Sequence, residues 1–140
     1  MKLLNIVIFL FFSTEASNYS FREPSVSNED ILLASVLQAE CGDCPIIDKH
    51  LIISSILNRC EDEKYPNNID SILEAYSKTS IKEVSKDNLN FVIKFNKEKR
   101  DTNVLYFFNP KTATDREFIK KIRKSKKLII KTKYHEYRGN

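Results

Sequence analysis

The apolar positions of the chain change their spacing along its length, and each change marks an element. Lys2 is followed by an apolar run from Leu3 to Phe12, broken only by Asn5, and then by the small residues of Ser13-Thr14-Glu15-Ala16-Ser17. A positive start, an apolar centre and a small-residue end make the plan of a secretory signal peptide. As a helix the run covers roughly half a bilayer, too little for a stable span. Residues 1–17 are therefore read as a signal peptide. Residues 18–27 are read as a linker, because they are mostly polar, contain Pro24 and show no periodicity.

From Ser27 the period becomes helical. Ser27 with Asp30 three residues on makes a capping box with Asp in place of Glu, and Glu29 and Asp30 suit the positive end of a helix. Leu33, Val36, Leu37 and Glu40 recur at helical spacing, so the core-facing stripe ends in a carboxylate. A second helix is expected from Asp48 to about Cys60, with Leu51, Ile52, Ser55 and Ile56 on one face and Pro45 just ahead. Ile69, Ile72, Leu73 and Tyr76 predict a short third helix, and Leu89, Val92 and Ile93 a fourth over Asp87 to about Phe95. After a charged loop from Lys97 to Asp101, Val104–Phe108 is rich in strand formers and stops at Asn109-Pro110. Thr114 or Asp115 can cap a basic helix through Lys124, and Leu128 to Thr132 reads as a second strand. The pattern has no internal repeat. It predicts an α+β fold, mainly helical, with a small sheet in the C-terminal half and one domain over residues 28–140.

Composition narrows the class. A chain of 140 residues fits one core, and 41% apolar with 30% charged residues is too apolar for disorder and too charged for a multi-span membrane protein. Two Gly and four Pro are too few for the turns of a sandwich or barrel. The net charge of +4 is unevenly placed: residues 111–140 hold 11 Lys/Arg against 3 Asp/Glu, while residues 1–110 hold 12 against 16. Such a basic end suits an anionic partner, whether nucleic acid, lipid or wall polymer, and equally suits a solvated lysine-rich surface.

Cys41, Cys44 and Cys60 are odd in number, so at least one is free or pairs outside the chain. Cys41-Gly-Asp-Cys44 resembles a redox pair, but a helix rather than a strand leads into it. A metal set of Cys41, Cys44, Cys60 and His50 lacks the second paired spacing of a zinc site, and no metal site is assigned. In an exported chain a structural disulfide from Cys60 to Cys41 or Cys44 is expected.

Glu40 is the strongest candidate for chemistry. Its apolar helix face implies partial burial, and it falls in a last turn, with Gly42 and Pro45 soon after, where the helix dipole disfavours negative charge. Both effects favour the neutral acid and raise its pKa. A carboxylic acid still protonated near neutrality can donate a proton to a glycosidic leaving oxygen.

Ala39-Glu40 followed by Pro45, Ile56-Leu57-Asn58-Arg59, Tyr65-Pro66-Asn67, Tyr106-Phe107-Phe108-Asn109-Pro110-Lys111-Thr112-Ala113-Thr114 and His135-Glu136-Tyr137 stand in this order over about residues 30–138. Together they resemble the ordered motifs of the cell-wall hydrolases typified by the spore cortex-lytic enzymes. Asp43-Cys44 stands where that family usually carries Gly-Glu. The resemblance implies a lysozyme-like fold, peptidoglycan glycan strands as partner, Glu40 as catalytic acid and no cofactor.

Around Glu40, the residues expected to meet substrate are Asn58, Arg59, Tyr106, Phe108, Asn109 and Thr112. Asn58 and Arg59 have an equally direct structural reading, with Arg59 bonding a helix end or an acid. Tyr106 and Phe108 share one face of a strand whose other face is core, and that face suits sugar stacking. Asn109 and Thr112 offer an amide and a hydroxyl to a saccharide. His50 and His135 read as structural. The reaction expected is lytic cleavage of the β-1,4 bond between N-acetylmuramic acid and N-acetylglucosamine, with export to the periplasm, wall or medium, or carriage on a virion if the source is a phage. The alternative is a non-enzymatic binder of an anionic polymer through Arg116, Lys120, Lys121, Arg123, Lys124, Lys126 and Lys127. Nucleic acid is the less expected polymer, because no nucleic-acid motif is present.

The exported protein is expected to start near Ser17 or Asn18; N-terminal sequencing that finds Met1 retained on exported material would reject the signal reading.

Overall fold

The computed structural model of the chain describes residues 25–65, 71 and 83–140. The segment expected to be a signal peptide, and all but Ser71 of the helix expected around Ile69 to Tyr76, lie outside these residues. Helix α1, Asn28–Cys41, begins as its sequence dictates: Ser27 Oγ accepts from Asp30 N–H at 3.1 Å, and an Asp30 carboxylate oxygen accepts from Ser27 N–H at 2.9 Å. It ends at Gly42, whose φ of +27° is open to glycine and strained for other residues. Helix α2, Ile46–Glu61, starts two residues before Asp48, straight after Pro45. The cysteines of the intervening turn, Cys41 and Cys44, form the disulfide, and Cys60 is free. This corrects the expected pairing through Cys60. Fourteen residues of helix separate Cys60 from Ile46, roughly 20 Å along the axis, which carries its thiol away from the turn.

Helix α3, Lys86–Ile93, is capped by Ser85, and its start is strapped to the end of α1. Gln38 Oε1 accepts from Ser85 N–H at 3.0 Å and from Asn88 Nδ2 at 2.8 Å, and Asn88 Nδ2 also reaches the Gly42 carbonyl at 3.1 Å. A single 3₁₀ turn, Lys97–Lys99, lies within the charged loop. Strand β1, Val104–Phe108, matches its prediction, and helix α4, Arg116–Ser125, is capped by Asp115. Strand β2, Lys127–Lys131, lies within a residue of the expected span.

Strand β3, Glu136–Gly139, has no counterpart in the sequence reading, yet it is the central strand of an antiparallel sheet ordered β1-β3-β2. Four residues that include Glu136, Arg138 and Gly139 carry no strand pattern. Their extended form comes from two neighbours, β1 pairing Phe107 with Tyr137 and β2 pairing Ile130 with Tyr137.

The sheet separates two apolar clusters. Leu33 and Leu37 of α1, Ile52, Ile53 and Ile56 of α2, and Val104, Phe107 and Tyr137 of the sheet form the larger. Each fully buried Leu or Ile contributes about 1.5–3 kcal/mol. Phe108 packs with Ile119 and Ile122 of α4 in the smaller, with Tyr106 against it. Strand β1 is therefore covered on both faces, where the sequence had left one face open.

Gly139 fixes how closely β3 approaches the chain entering β1. A Cβ there would lie 1.6 Å from the Asn103 carbonyl oxygen. Gly139→Ala should cost about 1–3 kcal/mol, typical of overpacking, in urea unfolding; an unchanged midpoint would show that the end of β3 can lift away freely.

Candidate active site

Glu40 stands in the last turn of α1, half-buried, and burial pushes its carboxyl above the ordinary glutamate value. No cation is needed to explain that direction. The segment holding it is tightly defined: the disulfide closes the turn just beyond it, and Asn88 and Gln38 hold the turn from the α3 side.

Behind this turn lies a buried polar cluster. Asp48, in the first turn of α2, is fully buried, and its Oδ1 accepts from the Thr132 hydroxyl at 2.6 Å and the Tyr137 hydroxyl at 2.7 Å. His135, also buried, brings Nδ1 to 3.4 Å from the same oxygen. Its ring packs edge-on to Phe107, with centroids 5.9 Å apart. Burial lowers the His135 pKa against the opposing pulls of Asp48 and the Glu40 backbone. Burial first, then the bond to Asp48, raises that of the Tyr137 phenol. Thr132 also shapes the β2–β3 turn, its hydroxyl accepting from the N–H groups of Tyr134 at 3.1 Å and His135 at 3.0 Å. The sequence reading took His135 as structural, and the structure gives it these partners. Asp48 figures in the sequence reading only as the expected first residue of the second helix. The signal available was the position of Asp48 near the α2 N-terminus, where the dipole favours an anion.

The expected substrate contacts divide between two regions. Asn58, at the far end of α2, donates through Nδ2 to the carbonyls of Asp101 at 2.7 Å and Val104 at 2.8 Å, and accepts from Arg100 Nε at 2.8 Å. Arg59 donates to the Leu105 carbonyl, and its guanidinium lies 4.5 Å from the centroid of the Tyr106 ring and 5.6 Å from that of Tyr65. The Tyr65 and Tyr106 hydroxyls touch each other. These residues dock α2 on β1, about 16 Å along the helix from Asp48 by its rise per residue. Phe108 is buried under α4 with Arg123 over its ring.

Asn109 follows Phe108, whose strand partner is Glu136, next to His135. The topology thus brings Asn109 to the end of the sheet that carries the Asp48 cluster. The Asn109 side chain accepts from Lys111 N–H at 2.9 Å, and Thr112 is exposed in the same loop. Glu136 itself is buried with both oxygens bonded, by Arg123 at 3.1 and 2.8 Å and by Arg138 at 2.5 Å. The Arg123 bond and then the Arg138 bond outweigh burial and hold its carboxyl below the usual range. Among the described residues no group of three or more His, Cys, Asp or Glu is placed to hold a metal, and no helix is long and apolar enough to cross a membrane.

No family model matches the chain, and no curated protein matches it. Among solved structures, the chain is similar in fold to the catalytic domain of the Bacillus cereus SleB protein, with a TM-score of 0.58 and 20% identity over 83% of this chain and 94% of that one. The α+β, lysozyme-like architecture expected from the sequence is thereby shown.

The opposed shifts of Glu40 and His135 set a pH signature. Above pH 4.5 the unfolded chain ionises Glu40 before the folded chain does, so stability falls as pH rises through the folded pKa. Below pH 6.5 the unfolded chain protonates His135 first, so stability also falls on acidification. Glu40→Gln removes only the first effect. Its melting temperature should therefore exceed that of the wild type by more at pH 7 than at pH 4; a gap that is constant or shrinks toward neutrality would contradict the buried-acid geometry.

Proposed function

We propose that the chain cleaves the glycan strand of peptidoglycan, with Glu40 as its proton donor. The observation that carries this reading is the placement of Glu40: a half-buried carboxyl with a raised pKa, in a fold like that of the SleB catalytic domain. SleB is a spore cortex-lytic enzyme, and the ordered sequence motifs resemble the same family.

Glu40 gives its proton to the oxygen leaving the anomeric carbon of the muramic residue. As a carboxylate it then takes the proton of the 6-hydroxyl of that residue, whose oxygen closes on the anomeric carbon. The products are a 1,6-anhydro end and a new free 4-hydroxyl, with no water consumed. This lytic route needs one carboxyl, whereas hydrolysis with a paired acid needs a second at about 5–9 Å. Among the described residues, the arrangement near Glu40 favours the single-acid route. Asp48 is fully buried with one oxygen committed to two hydroxyls, Glu136 is held by two arginines, and Asp43 is exposed in the disulfide turn.

The basic segment serves the same reading as an adsorption surface. Arg123 is engaged by Glu136 and Lys126 by Asn140, while Arg116, Lys120, Lys121 and Lys124 remain on the exposed side of α4. Retention on an anionic wall by these residues requires no second function.

Glu40→Gln should lower fragment release from purified peptidoglycan by roughly two to four orders of magnitude, the usual worth of general acid–base assistance, while Asp43→Asn stays near wild type. Mass spectrometry of the fragments reads the chemistry: anhydro ends support the lytic route, reducing ends point to hydrolysis. Undiminished release by Glu40→Gln would remove Glu40 from the mechanism.

A further inference from the structure

A groove of about 600 Å³ runs between the start of α2 and α3 with its following turn, apart from the polar cluster behind Glu40. Its floor is aromatic: Phe91 and Phe95 pack with centroids 6.0 Å apart, and His50 lies 5.1 Å from Phe95. Ile46, 74% exposed, extends the apolar surface to the rim. Lys49, Lys94 and Lys99 line the same groove against a single carboxylate, Asp87. None of the three lysines takes part in an ion pair among the described residues. Leaving an apolar floor wet beneath three unpaired ammonium groups is unfavourable to the free protein and complementary to a ligand that is both apolar and anionic.

The groove is also close in the chain to the candidate acid. Ile46 opens α2 two residues after Cys44, and α3 is tied to the Gly42 carbonyl through Asn88. A polymer threaded past Glu40 would therefore pass a groove wall built from the same turn.

We propose that this groove holds the stem peptide carried by the lactyl group of the muramic residue, a specificity site that rests on the peptidoglycan reading above. An amino-sugar backbone is uncharged along most of its length and would leave the lysines unanswered. A polyol phosphate would satisfy the lysines and leave Phe91, Phe95 and Ile46 without apolar partners. The stem peptide supplies both, with free carboxylates for Lys49, Lys94 and Lys99 and alanine methyl groups for the aromatic floor. The volume suits a few residues of such a peptide, within the usual range for ligand clefts.

The test measures binding by the full chain to three probes: a disaccharide-tetrapeptide, the same disaccharide without its peptide, and an oligo(glycerol phosphate). The wild type should bind the peptide-bearing probe on the order of tenfold more tightly than the bare disaccharide, the sum of a few exposed ion pairs. Lys49→Gln/Lys94→Gln/Lys99→Gln should lose that preference and keep its affinity for the bare disaccharide, and the corresponding triple Arg variant should retain the preference. Equal binding of the two disaccharides, a preference that survives the Gln substitutions, or lysine-dependent binding of the polyphosphate as tight as that of the peptide-bearing probe would each overturn the proposal. Cleavage of intact, peptide-bearing peptidoglycan by the wild type is followed in parallel. Its absence would refute the lytic reading, whereas its presence with no peptide preference refutes only the groove.

Discussion

A carboxylate sealed inside an apolar core must be met by donors, and here that requirement falls on Asp48. Left without partners it would cost several kcal/mol. Its Oδ1 is met by Thr132 from the β2–β3 turn and Tyr137 from the central strand, with the His135 ring alongside, while Oδ2 has no hydrogen-bond partner among the described residues. The β2–β3 turn and the central strand are thereby indexed to one residue in the first turn of α2. Because the disulfide turn joins that helix start to the end of α1, fixing Asp48 against the sheet also fixes where Glu40 can stand. The apolar packing of Ile52, Ile53 and Ile56 against Val104 and Phe107 supplies most of the cohesion, but apolar contacts tolerate sliding. The hydroxyl and carboxylate partners do not, since a shift of one residue in β3 would turn Tyr137 to the opposite face.

The two ends of α2 carry different tasks. At its C-terminal end, Asn58 gives Nδ2 to the backbone carbonyls of Asp101 and Val104, Arg59 Nε bonds the Leu105 carbonyl, and Ser54 Oγ accepts from Asp101 N–H at 3.1 Å. That end orders the strand and the tyrosines around Arg59. The N-terminal end instead meets the Glu40 turn on one side, the Asp48 cluster on another and the lysine-rimmed groove on a third. The candidate acid, the buried polar cluster and the groove therefore gather where α1 ends and α2 begins, and coupling to β1 is handled a few turns away.

What could be read from the sequence follows from how local each determinant is. Helix α1 was legible because Ser27 and Asp30 form its cap within four residues, and α4 because Asp115 caps it and Ile119 and Ile122 face one way. Glu40 was legible for the same reason: its burial follows from the apolar stripe of its own helix. Strand β3 was not, because Glu136 and Arg138 belong to a strand only through Arg123 on α4 and the two flanking strands. Asp48 was not, because its donors lie more than eighty residues away in the chain. Asn58 and Arg59 could be singled out as residues with a task, but whether that task was sugar or backbone depended on where β1 runs. The cysteines show the same limit: three candidates in sequence leave the pairing open, and only the direction of α2 removes Cys60.

Glu40 also shows why its surroundings are built so firmly. A carboxyl whose pKa is raised by burial is one whose ionisation is unfavourable where it sits, and the same free energy is subtracted from the stability of the folded chain once the group ionises. An unconstrained helix end would relieve that penalty by fraying, which would release the side chain to water and return its pKa to the ordinary value. Here fraying is opposed on every side. The glycine at φ +27° and the disulfide close the turn, Asn88 bonds the Gly42 carbonyl, and the buried His135 ring stands against the Glu40 backbone. The acid is thus held in an environment that disfavours its charge by contacts made through the backbone and its neighbours, so the raised pKa is a property of the turn as a whole.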